Sequence, residues 1–360
     1  MRKRITPDTA RAWVDVDLDA VVRNARSFIA ATGAPLLPML KADGYGLGAL
    51  MVARALAEVE PWGYGVATIE EARELHVNGI VRPVVIFSPL VPAMIEYVNA
   101  VAARPTICDV DALQAWLGQG VGQFHIEIDT GMGRSGIPWN DSQALMAVRN
   151  LVGDRTGWEG IFTMFHSAEK NAVATAEQWE RLEAALAAIG RRPPLVHAAA
   201  SAAGAYGTRY AGDVTRPGIH LYGGRVAGLD SVPVAALRAR VIGIRRVTAG
   251  TSIGYDATWR APDATTIATL AIGYADGLHR RLSNEGVVEL LGSRVRIVGR
   301  VTMDHVMVDA GDLPVAIGDV ATLFGGLVTL DEQAALAGTI SYELLTALGP
   351  RLPRRYLNLE

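Results

Sequence analysis

The chain has 360 residues and a net charge of −3, with 34 basic and 37 acidic side chains. Interspersed charge with no basic block excludes a nucleic-acid footprint, and the single cysteine, Cys108, excludes an internal disulfide or a cysteine metal cluster. The longest apolar stretch, residues 84–103, is broken by Pro89, Pro92, Glu96 and Asn99, so it is not a membrane span. The basic residues 1–4 run into the polar residues 6–9 rather than an apolar segment, which argues against a signal peptide and makes the cytoplasm the expected location.

An apolar run at 13–16 is followed by a helix starting near Asp17, with Val21, Val22, Ala25, Phe28 and Ile29 at helical spacing. Strand-like runs then recur at 36–41, 64–67, 83–87, 106–108, 124–129, 160–165, 194–198 and 217–222. Helical patterns such as 69–75 and 176–189 lie between most of them, and no nucleotide fingerprint follows the first strand. This alternation predicts an α/β fold, a (β/α)8 TIM-type barrel over residues 12–230. From 231 to 360 helical periodicity fades. Short β-rich runs at 238–247, 265–272, 287–291, 295–301, 305–308 and 319–324, with helices near 329–336 and 341–348, predict a mostly β C-terminal domain.

Lys41 ends the first barrel strand, and a glycine-rich turn follows at once. A lone ammonium at the end of a buried strand is costly unless it is paired or used. Desolvation lowers its pKa and frees the amine to attack a carbonyl, which makes Lys41 a candidate Schiff-base former. Barrel active sites form at such strand ends. The other ends carry Glu127 and Arg134, His166, His197 and Ser201, and Arg216, Gly218 and Ile219. The backbone N–H groups of Gly218 and Ile219, with the hydroxyls of Tyr45 and Ser201, suit a phosphate. A phosphorylated aldehyde bonded to Lys41 would account for all of them. No His, Asp and Glu set has metal-ligand spacing.

Residues 41–46 (KADGYG), 129–134 (DTGMGR), 216–218 (RPG), 253–255 (IGY), 272–277 (IGYADG) and 303–304 (MD) together resemble, in order and across both domains, the alanine racemase family. The resemblance implies pyridoxal 5'-phosphate as cofactor, a head-to-tail homodimer and interconversion of L- and D-alanine. It implies that Lys41 carries the cofactor and acts as one base, with the partner subunit's Tyr255 as the other on the opposite face. Arg216, held by His197, would face the pyridine nitrogen and, with a pKa above ~12, keep its proton. Tyr45, Ser201, Gly218 and Ile219 would hold the phosphate. Arg134 and Met303 would bind the substrate carboxylate region, and Tyr274 and Arg280 would line the entrance.

The departures from the family are also informative. Seven residues before Arg134, where many members carry a lysine that becomes carbamylated, stands Glu127, expected to supply the anion directly and orient Arg134. Met164 replaces a histidine, and His166, two residues on, is the expected partial substitute. Ala200 replaces an asparagine, Thr302 a cysteine and Asp256 a glycine. Pro350 stands where a phosphate-binding tyrosine is expected, which predicts looser cofactor binding. The alternatives are a broader racemase for serine, lysine and alanine, and a non-catalytic pyridoxal-phosphate-binding protein of similar barrel fold. The second alternative is disfavoured because Tyr255, Tyr274 and Met303 stand on a second domain.

Overall fold

The computed structural model describes residues 9–358; the basic start of the chain and the last two residues of the predicted second domain lie outside them. Several helices begin where the sequence supplies side-chain acceptors for the first unpaired N–H groups. Asp17 accepts from Ala20, Asp109 from Ala112, Asp141 from Ala144 and Asn171 from Ala174, at 2.7–3.0 Å. Each such cap contributes about 1 kcal/mol.

The barrel strands are β2 (Tyr64–Val66), β3 (Val84–Pro89), β4 (Arg104–Ile107), β5 (Phe124–Asp129), β6 (Trp158–Phe162) and β7 (Leu195–His197). They pair in parallel in that order. Helices α1 (Leu18–Thr32), α2 (Ala49–Leu56), α3 (Ile69–Val77), α4 (Ile95–Ala100), α5 (Val110–Gln119), α6 (Ser142–Val152) and α7 (Ala172–Ile189) alternate with them. The first and eighth predicted strands form no ladders. The ring closes through single bridges, Leu36 to Thr215, Met39 to Gly65 and Ala200 to Arg216. Pro35, Pro38 and Pro217 have no N–H to donate, so a continuous ladder cannot form there.

One predicted boundary needs correction. The strand β1 (Ala12–Asp17), placed in the 12–230 unit from the sequence, belongs to the second sheet. It pairs antiparallel with β8 (Ala235–Val247) and parallel with β14 (Arg354–Leu357). Buried Asp15 fixes this junction, accepting from Arg355 Nε at 2.6 Å, Arg238 Nε at 3.2 Å and Trp13 Nε1 at 2.9 Å. The other strands of this sheet are β9 (Thr265–Leu270), β10 (Val287–Leu290), β11 (Ser293–Val298), β12 (Val306–Gly311) and β13 (Val320–Phe324). Strand β8 is 13 residues long; its first half pairs with β13 and its second half with β9. Strands β8 to β13 thereby close on themselves, with β1 and β14 attached outside. Helices α8 (Leu330–Leu336) and α9 (Ser341–Thr346) bring the chain back to the mouth of the large barrel. Among the described residues no helix is long and apolar enough to cross a membrane.

Candidate active site

Lys41 opens a left-handed turn. Ala42, Asp43, Gly44, Tyr45 and Gly46 all have positive φ, between 53° and 79°. This conformation costs roughly 1–2 kcal/mol at each non-glycine residue. The turn closes on itself through Gly44 N–H to Leu40 O and Gly46 N–H to Ala42 O, both at 2.7 Å. From outside, Arg354 donates Nε and Nη2 to Gly46 O at 2.9 and 2.8 Å. A side chain at Gly46 would meet Leu345 O, its Cβ only 2.4 Å away, so glycine alone lets α9 pack here.

The turn forms one wall of a cavity of about 540 Å3 at the C-terminal ends of the strands. Lys41, Tyr45, Glu127, Arg134, Ser201, Arg216 and Gly218 all line it. Burial lowers the Lys41 pKa, the charge of Arg134 lowers it further, and Glu71 pulls it back up. The ammonium therefore gives up its proton more easily than an ordinary lysine.

Arg216 is 1% exposed. Nη1 donates to His197 Nδ1 at 2.5 Å and to His197 O at 2.9 Å; Nη2 donates to Thr163 O at 2.7 Å and Ala198 O at 3.0 Å. Burial pushes its pKa down to about 9, below the value above 12 expected from the sequence, although the charge of Glu127 opposes the fall. The guanidinium is still charged at neutral pH. Because His197 Nδ1 accepts, Nε2 carries the ring proton and donates to His125 Nδ1 at 2.9 Å. His125 Nε2–H then donates to Glu159 at 3.2 Å, and Arg104 closes the chain on the same carboxylate. Burial holds both histidines neutral.

The residues present fit pyridoxal phosphate. Arg216 Nε is buried without a partner, an unspent donor suited to a ring nitrogen. Gly218 is a cradle that a side chain would fill, since a Cβ there would lie 2.2 Å from Tyr45 Oη. Its N–H donates to Ser201 Oγ at 2.8 Å, which gathers a hydroxyl and amides at one point. Tyr45 stacks on Tyr222 at 4.5 Å, and Tyr222 is anchored by its hydroxyl on Met39 O. Burial raises the pKa of Tyr45, so it serves as a neutral donor. Ile219 is buried beside Gly218.

Glu127 is 3% exposed and reaches Arg134 only at 3.9 Å. Its nearer partners are Ser135 Oγ at 2.7 Å and the Cys108 thiol at 3.3 Å. Burial and then the Glu127 charge raise the Cys108 pKa, so the thiol remains a donor.

One expectation is corrected. His166 does not replace the missing histidine. Strand β6 ends at Phe162, so the two-residue alternation has lapsed four residues later, and the exposed His166 ring bonds Ser167 Oγ at 2.6 Å. Arg216 Nη2 is instead held by two backbone carbonyls. The cavity also has a tyrosine that the motifs did not mark. Tyr342, on α9, lines the cavity 5.9 Å from the Tyr45 ring, and burial pushes its pKa up to about 12. The sequence reading passed over Tyr342, which sits on a helix too short to show periodicity. It also passed over His125, which alternation with Glu127 along β5 points to.

Tyr255, Tyr274, Met303 and Arg280 lie outside this cavity. Tyr255 is 70% exposed, and Asp256 beside it pairs with Arg300 at 2.8 Å. The Tyr274 N–H bonds Thr302 O, and the Ala275 N–H bonds Met303 O. Asp276, fully buried, accepts from Gly273, Arg11 and Arg351 and fixes the turn that presents Tyr274.

The chain resembles known proteins over nearly its whole length. A family model described as alanine racemase, N-terminal domain, matches residues 16–226, and one described as alanine racemase, C-terminal domain, matches 234–356. It is 38% identical to an alanine racemase of Symbiobacterium thermophilum, with 96% of each chain covered, and 36% identical to one of Acidiphilium cryptum, covering 94% of this chain and 97% of that one. An alanine racemase structure from Clostridium difficile superposes with a TM-score of 0.91 at 28% identity, covering 97% of this chain and 96% of that one. One from E. faecalis superposes with a TM-score of 0.90 at 31% identity, covering 98% and 100%. The chain belongs to the alanine racemase family.

Proposed function

We propose that this protein is a pyridoxal-phosphate-dependent racemase interconverting L- and D-alanine, working as a homodimer with shared active sites. The observation that carries the reading is the meeting of Lys41, Arg134, the unpartnered Arg216 Nε and the Tyr45, Ser201 and Gly218 cradle in one cavity. The exposure of Tyr255 on the second domain supports a role toward another copy. Residues 18–230 form the cofactor-holding unit, and 231–360 the unit that supplies the second base. This reading is compatible with a cytoplasmic role in making D-alanine for the cell wall and equally with a catabolic one.

Bound pyridoxal phosphate supplies an electron sink that acidifies the substrate Cα–H. The protein does the rest. Tyr45, Ser201, Tyr342, the Ile219 amide and the Gly218 amide, released from Ser201 Oγ, would hold the phosphate. Arg216 would donate Nε to the ring nitrogen and keep its own proton. Arg134, oriented by Glu127, would bind the substrate carboxylate with the partner subunit's Met303, while the partner's Tyr274 and the partner's Arg280 would border the way in. Lys41 Nζ exchanges the α-proton on one face, and the partner subunit's Tyr255 exchanges it through Oη on the other. Removal from one face and return to the other inverts the centre.

Alpha-proton exchange in D2O followed by chiral separation tests this. Deuteration with inversion of alanine is expected; no exchange with any amino acid would overturn the reading. A wider substrate range is the second reading. Met164, Phe165 and Ala200 line both the main cavity and an adjoining one of about 290 Å3, which gives a longer side chain room. Comparable exchange of serine and lysine would favour it.

A further inference from the structure

The left-handed turn that carries Lys41 needs an outside hold on the chain side nearest the lysine, and Glu71 is placed there. Its Oε1 accepts the Ala42 N–H at 2.6 Å, next to Lys41 in the chain. Its Oε2 accepts the N–H groups of Ala67 at 2.7 Å and Thr68 at 3.3 Å, at the end of β2. We propose that Glu71 is a positioning residue for Lys41, one carboxylate that clamps the ends of the first two barrel segments and fixes the conformation in which the amine stands.

The bland alternative is helix capping. Thr68 and Glu71 form a capping box at the start of α3, with Glu71 N–H on Thr68 Oγ1 at 3.3 Å. Capping explains the bond to Thr68 N–H. It does not explain the shorter bond to Ala42, 29 residues away and on another segment. That bond stabilises the first of the three non-glycine residues held left-handed. Glu71 also places a negative charge at the lysine's own backbone, opposing Arg134. The other groups facing the amine are Arg216 and Glu127 and the hydroxyls of Tyr45 and Tyr342.

The inference rests on Lys41 being the reactive amine, and one experiment separates the two claims. The chain has three lysines, Lys3, Lys41 and Lys170, so labelling of each is resolved by peptide mass. The full chain, freed of cofactor, is acetylated with trace acetic anhydride across pH, with exposed Lys170 as internal reference. In the natural protein Lys41 should label with a midpoint below that of Lys170; equal midpoints would overturn the premise that the site lowers the Lys41 pKa, and proton exchange in D2O would then test the proposed function separately. In Glu71→Gln the Lys41 midpoint should fall further, by on the order of half a pH unit. Thr68→Ala should lower the melting temperature yet leave the Lys41 midpoint where it was. Glu71→Asp, which keeps the charge but shortens the reach, should hold the midpoint nearer the natural value while exposing the Ala42 amide to hydrogen exchange. If Glu71→Gln and Thr68→Ala lose the same stability and neither moves Lys41, Glu71 is a helix cap and the inference fails.

Discussion

Arg216 Nη1 donates to His197 Nδ1 across 2.5 Å, and that contact fixes the protonation of the groups behind it. A guanidinium only donates, so His197 must accept on Nδ1, donate on Nε2 and remain neutral. His125 is bound by the same logic, passing its remaining proton toward Glu159.

This relay predicts acid sensitivity. Both histidines have folded pKa values below the ordinary one, so the unfolded chain binds more protons once pH falls below about 6.5. The contribution is fully present above that pH and is lost as pH falls toward the folded values. Cofactor-free protein should therefore melt several degrees lower at pH 5.5 than at pH 7.5, and the double variant His125→Asn with His197→Gln should flatten that slope. An equally steep profile in the double variant would place the acid sensitivity elsewhere.

Gly218→Ala should spare folding and damage cofactor retention. The added Cβ would meet Tyr45 Oη at 2.2 Å and push the tyrosine out of the phosphate cradle. At least a tenfold rise in the dissociation constant for pyridoxal phosphate is expected, since losing a hydrogen bond to a charged group costs about 1.5–3 kcal/mol. Fluorescence titration reads it directly.

Tyr342→Phe should raise the same constant by about tenfold or more on the same grounds, while Pro350→Tyr should leave it unchanged. The reverse pattern in the titration would bear out the expectation drawn from the sequence that Pro350 marks a missing phosphate ligand.

Glu127→Gln should act on substrate more than on stability. A buried pair broken on one side costs several kcal/mol, but Arg134 is largely exposed and 3.9 Å away, so screening reduces the pair to about 0.2–1 kcal/mol. The melting temperature should move by no more than about 4 °C, while KM for alanine rises with kcat less affected. A large stability loss with KM unmoved would mean that Glu127 serves Ser135 and Cys108 rather than Arg134.

Tyr255→Phe should leave the fold of the single chain intact, because the residue is 70% exposed within it. Under the two-base reading it should slow one direction of racemisation more than the other, measured by isotope exchange from each enantiomer. Equal, mild losses in both directions would require another base.

The alternation of strand and helix, the lysine at the mouth of the barrel and the motif glycines were legible because each follows from local chemistry. The misreadings share a physical origin. His166 was assigned by carrying a strand's period past Phe162, where the strand had ended. Strand β1 was grouped with its sequence neighbours, although its partners lie more than 200 residues away and no local pattern encodes that. Tyr342 is likewise remote from the rest of the cavity wall and joins it only because α9 folds back across Gly46. The Glu71 carboxylate looked like an ordinary helix-start acid, and its tie to Ala42 depends on a turn whose handedness the sequence does not announce.

The pairing of β1 with β8 and β14 sets an order of events as the chain is made. Residues 12–17 leave the ribosome early and have no partner until residue 235 has followed, and their second edge stays open until 354–357 emerge. Through most of synthesis an apolar strand therefore waits beside a barrel that is already condensing. Closing so long a loop is slow, and an unpaired edge invites association with other chains. Arg355 reaches Asp15 only when that second edge is paired. A chain stalled before residue 354 would hold nearly all of its barrel and still carry a strand with one edge unmet.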